Sequence, residues 1–209
     1  MEIARMRYKL TSMTLVAALF MGWALPAQTP GHTGGQLLGG SLKSPVRIEV
    51  YSDFQCAACR ELYLNTIRRV IREYSGRDKV CVIYHEFPLA YHAHSRRAAL
   101  YSLAASRLGQ QKLLPVLDAL FTDQVRWAQD GNLDASVAKV LPREDFQNLK
   151  KMLQDSSLNA ALDKELQLAK QKSIKFTPTM FVYHSGKQDK VEGFVPYPVM
   201  KQFIDQRVN

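Results

Sequence analysis

The sequence predicts an α/β fold in which a sheet is assembled from both ends of the chain around an all-helical insertion. Three observations carry this reading. A strand, helix, strand unit is legible over residues 46–87, residues 92–173 hold almost only helical signals, and strand signals return as a hairpin followed by one last helix. The chain has 209 residues, 46% hydrophobic and 22% charged, which suits one globular domain with a full-sized core and argues against disordered or fibrous classes.

The N-terminus comes first. Arg5, Arg7 and Lys9 precede an apolar run from Leu15 to Leu25 (LVAALFMGWAL), closed by Pro26-Ala27, which is the order of an export signal with cleavage after Ala27. Leu25 stands where a smaller residue is preferred, so an uncleaved N-terminal anchor is the alternative reading. Residues 28–44 (QTPGHTGGQLLGGSLKS) contain five glycines and little periodicity, and read as a flexible lead into a domain spanning 45–209. No later stretch approaches the roughly 18 to 20 apolar residues that a membrane helix needs.

Removing residues 1–27 takes away three basic residues and one acid, which leaves 25 against 18 and a net charge of +7. Acids interrupt the basic residues, as in KKMLQD and DKELQLAKQK, so a solvated surface is expected and a nucleic-acid partner is not.

Val46 opens VRIEVY, rich in β-branched and aromatic residues, which ends at Ser52-Asp53 as a strand leaving into a loop. Leu62, Ile67, Val70, Ile71 and Tyr74 then recur at helical spacing, with Gly76 as the expected C-terminal cap. This places Cys56 near a helix start. VCVIYHEF, from Val80 to Phe87, is the next strand, and the short crossover favours a parallel pair. The insertion, about 92–173, breaks at Gly109, Gly131 and Pro142; Pro142 suits a first helical turn, and Ser156 or Ser157 is the expected cap of NAALDKELQLAKQK. TMFVYH and KVEGFV flank a Ser185-Gly186-Lys187 turn, and PVMKQFIDQRV closes the chain as a helix.

The chemistry centres on Cys56-Ala57-Ala58-Cys59. Two cysteines so spaced at a helix N-terminus can close a disulfide within the first turn, and the positive helix end stabilises the first thiolate. Cys56 is therefore the candidate nucleophile and Cys59 the resolving thiol. An export signal supplies a compartment where such a pair finds substrates. Two blander readings stand beside this one. A structural disulfide would close only a tiny loop and restrain little entropy. A zinc site would need Cys81 and His85 as further ligands, and four residues along an extended strand separate them by about 13 Å.

Cys81, among Val80, Val82 and Ile83, is expected as an inert core thiol. His92 and His94 are expected in capping or surface roles, and His32 and His184 in the tail and a turn. Thr177-Pro178-Thr179 precedes an apolar strand, where proline is tolerated only at the first position; the residues alone leave the isomer of that peptide bond open.

On SDFQCAAC (Ser52 to Cys59), HEFPL (His85 to Leu89), LDALFTDQ and IKFTPTMFV with GFVPY, the chain resembles the DsbA-like branch of the thioredoxin superfamily from about Val46 to Ile204. The resemblance implies a thioredoxin-like core with the helical insertion and a redox-active Cys56–Cys59 pair. It also implies a cis bond between Thr177 and Pro178 facing that pair, where Thr177 offers backbone hydrogen bonds to a bound peptide. Three departures matter. Ala57-Ala58 matches neither strong oxidants nor reducing thioredoxins, so redox direction is open. Val50 occupies the place of a buried acid common in the family, and Glu49 points to the opposite face by strand alternation. The lead is too short for a dimerisation domain, so a monomer is expected.

The expected function is an exported thiol:disulfide oxidoreductase without cofactor or metal, acting on exported polypeptides and recycled by a membrane redox partner. A periplasmic reductase or isomerase, or a non-enzymatic peptide- or metal-binding protein, are the alternatives.

Overall fold

The computed structural model describes residues 34–208. The expected signal segment 1–27, the first part of the lead and His32 lie outside the described residues.

Five strands form one sheet in the order β1-β3-β2-β4-β5. The β-branched run makes β2 (Val46–Ser52), and β3 (Val80–Glu86) lies parallel to it with Val46 opposite Val80 and Ser52 opposite Glu86. The hairpin β4 (Thr179–His184) and β5 (Lys187–Glu192) extends the sheet antiparallel, with Val50 opposite Met180. β1 (Gln36–Gly39) pairs antiparallel with the other edge of β3. This corrects the expectation of a featureless lead over 28–44. Leu38 is buried in the core, and one apolar anchor plus the open edge of β3 suffice to order a segment that its glycines alone would leave loose.

The crossover from β2 to β3 is helical. It runs as α1 (Ala57–Leu62), a π-helical segment Tyr63–Ile67 and α2 (Arg68–Tyr74). A 3-10 turn over Ser75–Arg77 follows, and the left-handed residue that ends it is Asp78, not the expected Gly76. The insertion contains α3 (Ser95–Arg107), α4 (Gln110–Thr122), α5 (Gln124–Asp130), α6 (Asp134–Val137), α7 (Arg143–Met152) and α8 (Ser156–Gln171). Gly109 and Pro142 stand at the N-caps of α4 and α7, and Gly131, at φ 70°, closes α5. The cap of α8 is Asp155 rather than a serine, its carboxylate accepting the amide of Ser157 at 2.8 Å. A carboxylate at this position also meets the positive helix end, which a hydroxyl does not. The closing helix is α9 (Tyr197–Val208).

Strand alternation divides the core. Val46, Ile48, Val50, Val80, Val82, Tyr84, Met180 and Val182 face one way and join Leu62, Ile67 and Val70 of the crossover and Met200 and Ile204 of α9. On the other face Tyr51 and Phe181 pack with Ala169 of α8 and with Ile174. Glu49 belongs to this second face, buried among Arg47, Lys172 and Tyr183, and so turned away from the cysteine helix. His184, expected in a turn, is instead the buried end of β4, paired with Asp189 at 2.7 Å and with Arg207 at 3.2 Å.

Candidate functional site

β2 ends at Ser52 beneath the start of α1, and the loop between them carries the site. Cys56 is the N-cap of α1 with φ −73° and ψ 121°, and its carbonyl accepts the Arg60 amide at 3.1 Å as the helix's first bond. Its side chain is half-buried. Cys59, one turn inside, is 1% exposed and packs into the main core. Both are free thiols, as is the buried Cys81.

The loop is organised by Asp53, a residue 1% exposed whose carboxylate is saturated with donors. Oδ1 accepts the amides of Gln55 at 2.6 Å and Cys56 at 3.2 Å and the Ser95 hydroxyl. Oδ2 accepts the Leu89 amide at 2.7 Å and meets His92 Nδ1 at 2.9 Å. One carboxylate thus joins the cysteine loop, the loop after β3 and the first residue of α3. From the insertion, Gln124 Nε2 donates to the carbonyls of Phe54 and, at 3.1 Å, Cys56. Arg60 Nε donates to the Phe121 carbonyl at 3.1 Å, so the helical insertion and the cysteine helix are stitched together twice.

The peptide bond between Thr177 and Pro178 is cis. It brings Thr177 against the nucleophile loop, with Cys56 Sγ donating to the Thr177 carbonyl at 3.4 Å. The Pro178 carbonyl is held by the amide of Gly193 at 2.8 Å, which ties this loop to the segment after β5. Cys56, Cys59, Thr177 and Pro178 are therefore one cluster, although 121 residues separate Cys56 from Thr177.

The two thiols are driven apart electrostatically. A hydrogen bond from the Cys59 thiol, the Thr177 hydroxyl and the amides at the start of α1 together lower the Cys56 pKa to about 5 against the opposing effect of burial. Burial raises Cys59 well above the ordinary thiol range, and the charge on Cys56 raises it further. Burial likewise pushes Cys81 up to about 11. The arrangement presents one thiolate toward solvent and keeps one protonated thiol behind it.

Of the histidines, His92 serves the Asp53 carboxylate, and the backbone of His94 is held by the side chain of Gln55. Among the described residues no group of three or more His, Cys, Asp or Glu side chains could hold a metal ion. The reading of the sequence missed Asp53 and Gln124. An aspartate three residues before a helix N-cap is a recognisable loop-ordering signal. Gln124, 68 residues beyond Cys56, leaves no local signal.

The family model described as Thioredoxin matches residues 32–206. The chain belongs to this family, as a member of its DsbA-like thiol:disulfide oxidoreductase branch. Disulfide bond formation protein D of Bacillus subtilis is 24% identical over 183 residues, covering 83% of this chain and 78% of that protein. The probable disulfide bond formation protein D of Bacillus cereus is 23% identical over 147 residues, 68% of each. Among solved structures, Wolbachia pipientis alpha-DsbA1 superposes with a TM-score of 0.67 at 19% identity, covering 84% of this chain and 92% of that one. BdbD from Bacillus subtilis in its oxidised form gives 0.65 at 20% identity, with 83% and 96% covered. Both share the fold, including the helical insertion. Among the described residues no helix is long and apolar enough to cross a membrane.

Proposed function

We propose that the protein exchanges disulfides with exported polypeptides through Cys56 and Cys59, acting chiefly as a disulfide donor. The observation that carries this is the split between the two thiols, with Cys56 lowered to about 5 at the mouth of the site and Cys59 buried and held protonated. In the oxidised protein a substrate thiolate attacks Cys56 Sγ, the Cys56–Cys59 bond breaks, and Cys59 leaves with the electron pair and takes up a proton. A second substrate thiolate then attacks the substrate sulfur of the mixed disulfide, and Cys56 departs as a stable thiolate. Stabilising that thiolate stabilises the reduced protein, which makes its disulfide the more oxidising.

Thr177 and Pro178 are the proposed substrate platform. An extended peptide adding beside them would meet Thr177 backbone groups next to Cys56 Sγ. Export by residues 1–27, an extracytoplasmic location, and reoxidation by a membrane partner complete the reading; the family resemblance and the order of the N-terminal residues support them.

The test is an equilibrium redox titration of the protein against glutathione, with Cys56 alkylation as readout. A potential well above that of the cytosolic glutathione pool, near −220 mV or lower, is the expected result. A low, thioredoxin-like potential would move the assignment to a reductase, and a pair that never titrates would end the catalytic reading.

A further inference from the structure

The Asp53 side chain is sealed from solvent, and among the described residues neither lysine nor arginine pairs with it. Three of its partners are backbone amides, those of Gln55, Cys56 and Leu89, and a fourth is the Ser95 hydroxyl. None of these changes charge. The one basic group on the carboxylate among the described residues is the His92 ring, whose Nδ1 lies 2.9 Å from Oδ2. That ring is 22% exposed, so it can exchange protons with water while the carboxylate behind it cannot. The other titratable groups around Asp53 are Cys56 and Cys59 of the cysteine helix and Tyr84 and Glu86 of β3, none of them basic. Facing His92 itself, besides Asp53, is the edge-on ring of Tyr91, 4.5 Å between centroids.

The ring is not needed to hold its own loop. The Leu89 amide and the Ser95 hydroxyl already tie residues 89–95 to Asp53 at both ends. Inside the loop the His92 amide donates to the Leu89 carbonyl at 3.0 Å, and the His92 carbonyl accepts the Ser95 amide at 3.2 Å. What the ring adds is a charge that comes and goes between about pH 5 and 8. Asp53 Oδ1 meets the Cys56 amide at 3.2 Å, so a bare carboxylate charge sits at the helix start that stabilises the Cys56 thiolate. Two negative charges there oppose each other. An imidazolium on Oδ2 cancels one of them and leaves the helix end to the sulfur.

We infer that His92 is a positioning residue that, by gaining or losing its charge on the Asp53 carboxylate, sets how strongly the Cys56–Cys59 disulfide oxidises its partners. With the ring charged the reduced protein is stabilised and the disulfide is the stronger oxidant; with the ring neutral it is the weaker one. The inference rests on the reading of these cysteines as a redox pair and adds a pH control to it. Against glutathione the balance is two electrons from two thiols, giving glutathione disulfide, a Cys59 thiol, a Cys56 thiolate and one released proton.

The test is that equilibrium, measured at pH 6 and pH 8 in the native protein and in His92→Asn. Asparagine puts an amide N–H where ring Nδ1 stands, which keeps the hydrogen bond and removes the charge. At pH 6 the variant's equilibrium should lie about threefold or more toward the oxidised protein, and at pH 8, where an ordinary histidine is neutral, the two proteins should agree. Native-like constants at pH 6 overturn the inference. A shift of equal size at both pH values also overturns it, because a lost structural contact acts at every pH. Alkylation of native Cys56 by iodoacetamide makes the same test if the variant fails to fold. Its rate should step up as the thiolate forms near pH 5 and rise a further two- to threefold, roughly, between pH 6 and 8, since a thiolate freed of the cation is more basic and more nucleophilic. A single step overturns the inference. A pair that never equilibrates with glutathione would instead overturn the redox reading itself.

Discussion

The carboxylate of Asp53 accepts the backbone amide of Cys56 at 3.2 Å, while the Asp53 amide donates to Cys59 Sγ at 3.4 Å. One residue therefore holds the backbone of Cys56 and the sulfur of Cys59, and both oxygens of its side chain are engaged by donors. Asp53→Asn keeps one acceptor oxygen but turns an NH₂ group toward some of those donors. We expect a loss of about 2 kcal/mol or more, the scale of losing a buried hydrogen bond to a charged group. Urea denaturation of the reduced protein measures it, and an unchanged midpoint would show that the carboxylate does not hold the loop.

The Cys56 thiolate imposes a pH dependence of definite sign. Folding takes its pKa from the ordinary 9.0 to about 5, so between these values the unfolded chain binds a proton that the folded reduced chain has released. The stability this group contributes is present at high pH and is lost as pH falls through about 5. Cys59 acts in the opposite sense. Its folded pKa lies above 9.0, so its contribution is present below that value and lost above it. The oxidised protein has neither thiol to titrate. From pH 5 to 8 the reduced form should therefore gain stability relative to the oxidised form, read from paired urea midpoints. Thiolate absorbance should show a midpoint near 5, and Thr177→Val should move it upward by removing the hydroxyl beside Cys56. A native midpoint near 9 would contradict the electrostatics of the site.

What could be read from the sequence was the part written in local pattern. The β-branched runs of β2 and β3, the 3.6-residue spacing after Cys56 and the proline before β4 each report their own surroundings, and each led to the element that is present. The pairing of Cys56 with Thr177 was legible only through the family resemblance, since nothing in either segment points to a partner 121 residues away. The cap of α8 went to Asp155 rather than a serine because the turn before it places the carboxylate, not a hydroxyl, over the Ser157 amide.

β1 was the clearest miss, and it yields a sharp test. Gly40, just after the strand, has φ 76°, and a Cβ there would lie 2.0 Å from the Val80 carbonyl oxygen. That neighbour is backbone of β3 and cannot swing aside. Gly40→Ala should therefore cost about 2–3 kcal/mol, from the left-handed conformation and the clash together. Gly76→Ala is the matched control, because a Cβ at residue 76 meets nothing within 4 Å. It should stay within about 0.5 kcal/mol of the native protein. Equal effects at the two positions would mean that β1 does not pack on β3 in solution.

Gln124 makes the helical insertion part of the redox site rather than an appendage. Its buried amide group spans the carbonyls of Phe54 and Cys56, either side of the last loop residue before the nucleophile. The Cys56 carbonyl has a second donor in the Arg60 amide, so the Phe54 carbonyl stands to lose more when Gln124 is removed. Gln124→Leu deletes the donor while keeping most of the volume, which separates the hydrogen bonds from packing. The expected cost is about 1–3 kcal/mol for the carbonyls left without it. Hydrogen exchange should speed selectively at the amides of Gln55 and Cys56, because the loop they belong to would lose both of the bonds that Gln124 donates to it. Native-like exchange at those two amides, alongside a native unfolding midpoint, would show that the insertion does not brace the cysteine loop.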